Sequence, residues 1–97
     1  LLRDVPKAAA VRKQLDRAST STPLNIADGN GKFTSSDRCR FFDIARGSAL
    51  ECAACLDVLV AKAIVAQGVA AEGKAILHEI VSMMVGLIRA NSAERRV

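Results

Sequence analysis

Cys52 and Cys55 stand in a Cys-Ala-Ala-Cys run, the spacing of a redox dithiol or of half a zinc site. A dithiol of that kind sits at a helix N-terminus, where the dipole lowers a thiol pKa, and a tetrahedral zinc needs four ligands. Cys39 and the single histidine, His78, are the remaining candidates, and neither has a paired spacing. Both cysteines of the pair fall in the middle of a helical pattern, with Cys52 at the centre of its apolar face. They read as small buried hydrophobes, so no metal and no cofactor is expected.

His78 shares a helical wheel position with Ser82 and Arg89, off the apolar stripe, which predicts a solvated side chain. No GxSxG motif is present to supply a nucleophile, and no catalytic residue is expected. Asp28-Gly29-Asn30-Gly31-Lys32 looks at first like a phosphate or calcium loop. A P-loop needs GxxxxGK[ST] after a strand, and an EF-hand needs spaced acids ending in Glu; neither pattern is met. Its glycines are expected to give a turn its backbone freedom. Asp43, Arg46 and Glu51 lie near one another on a helix, and Asp43 with Arg46 can pair at i, i+3. They read either as solvated ion pairs or as charges that fix register at an interface.

The elements that carry these residues are helices. About half of the 97 residues are hydrophobic, yet only three are aromatic, so Ala, Val, Leu and Ile form the core of one helical-bundle domain spanning residues 1–97. Leu1 to Val5 reads as the tail of a helix lying upstream, and the chain begins without Met, so the natural protein is expected to extend further. A helix then starts at Lys7 behind Pro6, with Val11, Leu15, Ala18, Thr22 and Ile26 on one narrow face. Pro23 should kink or end it, and Asp28 to Ser35 should be a loop. Ser35 or Ser36 offers the next N-cap, with Asp37 in the first turn.

A long helix from Ser36 to Gln67 follows, closed by Gly68. Phe42, Ala45, Ala49, Cys52, Leu56, Leu59, Val60 and Ala63 make its apolar face in alternating steps of three and four. Its opposite side carries Gly47, Leu50, Ala54, Val58 and Ala61 among few charges, which marks a second contact face. The last helix, Ala70 to Asn91, has a core stripe of Ile76, Leu77, Ile80, Met83, Met84, Leu87 and Ile88. Arg89, Arg95 and Arg96 suit its C-terminal dipole, and the tail beyond Asn91 should fray.

The net charge of +4 lies wholly in the first part of the chain. Residues 1–40 hold eight bases against four acids, whereas residues 41–97 balance at six each. A basic surface of this kind fits a polyanion partner, although helical proteins also carry such charge for solubility. The apolar run from Cys52 to Val69 is broken by Asp57 and Lys62, so no membrane span is expected. An odd number of cysteines and no visible secretory signal point to a reducing, cytoplasmic setting.

Two motifs are shared with a known family. Asn25-Ile26-Ala27-Asp28-Gly29, followed by Ala45-Arg46-Gly47-Ser48 with Glu51 nearby, resembles the bacterial four-helix-bundle proteins, the ribosomal-RNA intervening-sequence protein family. Asp28 stands where that family usually has Glu, and most of the family's first helix has no counterpart here. The resemblance implies an all-α, antiparallel up-down four-helix bundle that assembles as a ring-like homopentamer. It also implies similarity to the accessory variability determinant of diversity-generating retroelements, a basic pentamer that binds nucleic acid and partners a reverse transcriptase.

The resulting expectation is a non-enzymatic homo-oligomeric scaffold. Arg12, Lys13, Arg17, Lys32, Arg38 and Arg40 are the expected contacts to RNA, DNA or a nucleic-acid enzyme, since phosphate contacts require cations. Asp43, Arg46, Gly47, Ser48, Leu50, Glu51 and Ala54 are the expected subunit interface. The alternative is a structural or protein-interaction module with no nucleic-acid affinity.

Overall fold

The computed structural model describes residues 4–92, with side chains from residue 9 onward. These residues form three antiparallel helices: α1 (Asp4–Asn30), α2 (Ser35–Ala61) and α3 (Gln67–Asn91). The expectations for Leu1 to Arg3 and for the tail with Arg95 and Arg96 lie outside the described residues. Asp4 and Val5 are continuous with α1, so Pro6 sits inside its first turn, where it removes no intrahelical hydrogen bond.

α2 is the middle element. α1 packs along one side of it and α3 along another, while no Cα pair between α1 and α3 comes within 8 Å. The buried positions of α2 are Cys39, Phe42, Ala45, Ala49, Cys52, Cys55 and Leu59, the spacing of a seam that meets a neighbour at each turn. Cys39, Phe42 and Ala45 join Met84 and Ile88 of α3 in the central cluster, with Ile26, Ile80 and Leu87 packed against it. Ala18 and Thr22 are the buried positions of α1 on the predicted face, flanked by half-buried Val11, Leu15 and Ile26.

Three local expectations change. α1 does not end at Pro23 but continues through it to Asn30. The missing Pro23 N–H leaves the carbonyl of Ser19, an exposed residue, without its helical donor. The surrounding hydroxyls fold back onto the helix: Thr22 donates to the Ala18 carbonyl at 2.9 Å and Thr20 to that of Asp16 at 2.9 Å. Gly29 is helical and buried, and its bare Cα faces the ring of Phe42. No glycine among the described residues takes a positive φ, so close approach rather than turn freedom explains this one.

The N-cap of α2 is Thr34, not Ser35 or Ser36; its hydroxyl accepts from the Asp37 N–H at 3.1 Å. At the other end α2 stops at Ala61, earlier than Gln67. The N–H of Ala63 donates to the Val60 carbonyl at 2.9 Å and that of Ile64 to Leu59 at 3.0 Å, the paired bonds of a Schellman stop. Ala63 occupies the left-handed position at φ 59°, where glycine is usual. Gly68 falls in the first turn of α3 instead of closing α2.

The stripe assigned to α3 divides. Met84 and Ile88 are buried and Leu77, Ile80 and Leu87 half-buried, but Ile76 and Met83 are 60% and 57% exposed. A single neighbour can cover only part of a stripe that wide. No described helix is long and apolar enough to cross a membrane.

Candidate nucleic-acid and assembly surfaces

The turn between α1 and α2 is short because Gly31 and Lys32 close α1 with N–H bonds to Ala27, Asp28 and Gly29 carbonyls, and Thr34 opens α2 at once. That compact turn brings three of the predicted cations to one end of the molecule. Lys32 Nζ lies 4.8 Å from the centre of the Phe41 ring, and the Arg40 guanidinium lies 4.9 Å from the same ring. Arg38 lies 5.9 Å from the Phe42 ring and reaches the carbonyls of Asn30 and Lys32 at 3.5 Å each, long for hydrogen bonds. Each cation–π contact at such a site contributes about 0.5–1 kcal/mol and holds the charge in place without neutralising it. Phe33, next to Lys32 in the chain, is fully exposed to solvent.

The other predicted cations lie elsewhere. Arg12, Lys13 and Arg17 are exposed on α1. At 1.5 Å of rise per residue, Arg17 stands roughly 20 Å along the helix from the turn. Arg17 also meets Glu51 at 3.6 Å, an exposed ion pair worth no more than about 1 kcal/mol. The structure therefore divides the six predicted cations into a hinge group of three and an α1 group of three.

The predicted interface residues divide as well. Ser48 is half-buried against α1, its Oγ 2.9 Å from Ser21 Oγ, and Asn25 donates to Ser21 Oγ at 2.9 Å and to the Ser21 carbonyl at 2.8 Å. Ser48 and Glu51 thus join α2 to α1 within the subunit. Asp43 and Arg46 pair at 3.5 Å along α2, and the Nε of Arg46 is buried with no hydrogen-bond partner. Gly47, Leu50 and Ala54 are exposed, and Ile44 and Val58 beside them are exposed too.

Two features escaped the sequence reading. One is Phe33, for which the only signal was an aromatic residue inside a run of turn formers with a lysine beside it. The other is a line of exposed apolar residues on α3: Val69, Ile76 and Met83 recur every seven positions and point the same way. Beside that line, a groove of about 330 Å³ runs between α1 and α3, walled by Thr22, Pro23 and Ile26 on one side and Leu77 and Ile80 on the other. Cys52 forms its floor.

The thiols are placed for packing. Cys39, Cys52 and Cys55 are all buried and free, and Cys39 Sγ donates to the Ile88 carbonyl at 3.6 Å. Burial is the main force raising the Cys52 thiol above its ordinary range, helped by Cys55 and Glu51 and opposed by Thr22. Burial also raises Cys55, with Glu51 adding to it and Arg17 opposing. Such thiols are poor nucleophiles and poor metal ligands. No group of three or more His, Cys, Asp and Glu able to hold a metal occurs among the described residues. His78 is exposed, at the edge of a shallow Ala-rich groove between α2 and α3.

The motif residues that carried the family resemblance meet along the α1–α2 seam: Gly29 on Phe42, and Asn25 through Ser21 to Ser48. A family model described as 23S rRNA-intervening sequence protein matches residues 2–86. No curated protein and no solved structure matches the chain.

Proposed function

This chain belongs to the 23S rRNA-intervening sequence protein family, and from that premise we propose a non-enzymatic scaffold that self-assembles and binds nucleic acid through its hinge cations. The observation that supports assembly most is the outward face of α2. Leu50 is 53% exposed beside Val58 and Ile44, and Gly47 and Ala54 leave room for another backbone to approach. Covering the exposed half of each of these side chains would contribute roughly 1 kcal/mol apiece. The resemblance to the family supports a pentamer of four-helix units as the form of this assembly. In that arrangement the apolar groove between α1 and α3 is where a fourth helix of the unit would pack.

Lys32, Arg38 and Arg40 are the nucleic-acid contacts of this reading, with Arg12, Lys13 and Arg17 as a separate electrostatic flank. A nucleic-acid enzyme such as a reverse transcriptase is the associated partner class. The separation of the two cation groups favours a second reading, a protein-interaction module without nucleic-acid affinity. Light scattering and oligonucleotide titration at two salt levels test both halves. The scaffold requires a mass several times 10.3 kDa and an affinity that falls steeply with salt. A monomer mass at micromolar concentration sinks the assembly, and the absence of salt-sensitive binding selects the module.

A further inference from the structure

We infer that Phe33 is a base-stacking platform and that the nucleic acid taken at the hinge is single-stranded. The inference rests on the reading of the hinge cations as nucleic-acid contacts and adds the class of strand. Phe33 is fully exposed at the tip of the α1–α2 turn, although the turn is tied down on both sides by backbone bonds and the Thr34 cap. Its ring is thus presented by a fixed backbone and not by a loose end. The other two aromatics are occupied: Phe42 is buried in the core, and Phe41 is covered by Lys32 and Arg40.

Phe33 is an exposed aromatic face directly after Lys32, at the end of the molecule that also carries Arg38 and Arg40, and aromatic faces combined with cations bind strands without sequence preference. Lys32, Arg38 and Arg40 supply charge for the backbone, and Phe33 supplies the π-face for one base. A paired duplex hides its base faces in the stack and offers Phe33 nothing to cover. The neighbours of Phe33 are Lys32, Thr34, Ser35 and Ser36, too polar to make a membrane-inserting patch or the apolar centre of a protein interface.

The test uses the full chain, a single-stranded uridine oligonucleotide, and a blunt duplex of the same length, followed by fluorescence anisotropy. Phe33→Ala should weaken single-strand binding by about 5- to 150-fold and leave duplex binding unchanged. Phe33→Trp should keep the affinity and lose indole emission on binding, a clean signal because the chain has no tryptophan. Since the side chain touches no core, circular dichroism should be the same for all three proteins. Equal single-strand affinity of Phe33→Ala and wild type, with loss of binding in a Lys32→Ala/Arg40→Ala double variant, overturns the stacking role and leaves the nucleic-acid reading standing. If neither strand form binds even at low salt, the nucleic-acid reading fails and this inference with it.

Discussion

The Cβ that Gly29 lacks would lie 2.6 Å from Cε1 of Phe42. Phe42 is completely buried, so its ring has nowhere to turn. Gly29→Ala should therefore push α1 away from α2 and cost about 1–3 kcal/mol of stability, read from the urea midpoint. Trimming the ring with Phe42→Leu should cost less in the Gly29→Ala background than in the wild type. Additive effects of the two changes would mean that the helices are not in close contact there.

Ala63 is the converse case, a side chain where none is wanted. A left-handed position costs an L-residue about 1–2 kcal/mol, against roughly 0.5–1 for the extra freedom glycine brings to the unfolded chain. Ala63→Gly should raise stability by about 0.5–1 kcal/mol, a gain of a few degrees in melting temperature for a domain of this size. An unchanged or lower melting temperature would contradict the Schellman geometry.

Burial holds Cys52 and Cys55 in the neutral form above their ordinary range. In the unfolded chain these thiols ionise near pH 8.5, so above that pH the unfolded state binds fewer protons than the native state. Their contribution is fully present below that pH and declines as pH rises toward the native-state pKa. Chemical denaturation from pH 7 to 10 should show the decline, and it should shrink in a Cys52→Ala/Cys55→Ala variant. At pH 7.5, alkylation of the native protein by iodoacetamide should be slow and should speed up only in denaturant.

Assembly through the outward face of α2 predicts that Leu50→Glu with Val58→Lys lowers the mass seen by light scattering without loss of helix signal. Both side chains are exposed in the isolated chain, so the fold should tolerate the change. Ile76→Lys serves as the comparison on α3. If Ile76→Lys alone dissociates the particle, the subunits meet along the Val69–Ile76–Met83 line instead.

Periodicity located the helices well wherever one face is buried on one neighbour: Phe42, Ala45, Ala49, Cys52 and Leu59 fall where the pattern puts them. It failed where breakers were read as stops. Pro23 and Gly29 are weak helix formers locally, yet both lie inside α1, because packing on α2 outweighs their intrinsic cost. The stop that does end α2 has no glycine at its left-handed position, so nothing in the composition announced it. Among the candidate contacts, spacing could not separate Arg17, spent on Glu51, from Lys32 and Arg40, gathered over one ring. Such pairings between helices depend on rotation and register, which a single-helix wheel does not encode. The exposure of Phe33 was likewise invisible, since a lone aromatic near a turn more often tucks inward.

Because both flanking helices bring their backbones close to α2 while no Cα pair joins α1 to α3 within 8 Å, the molecule is built as two hairpins sharing a spine. Each hairpin can close from neighbours in sequence, so little of the folding barrier comes from bringing distant segments together. Hydrogen exchange should then be slowest along the inner turns of α2, which either hairpin must keep. Loss of α3 from the spine leaves the α1 seam in place, so the two outer helices can open as separate cooperative units.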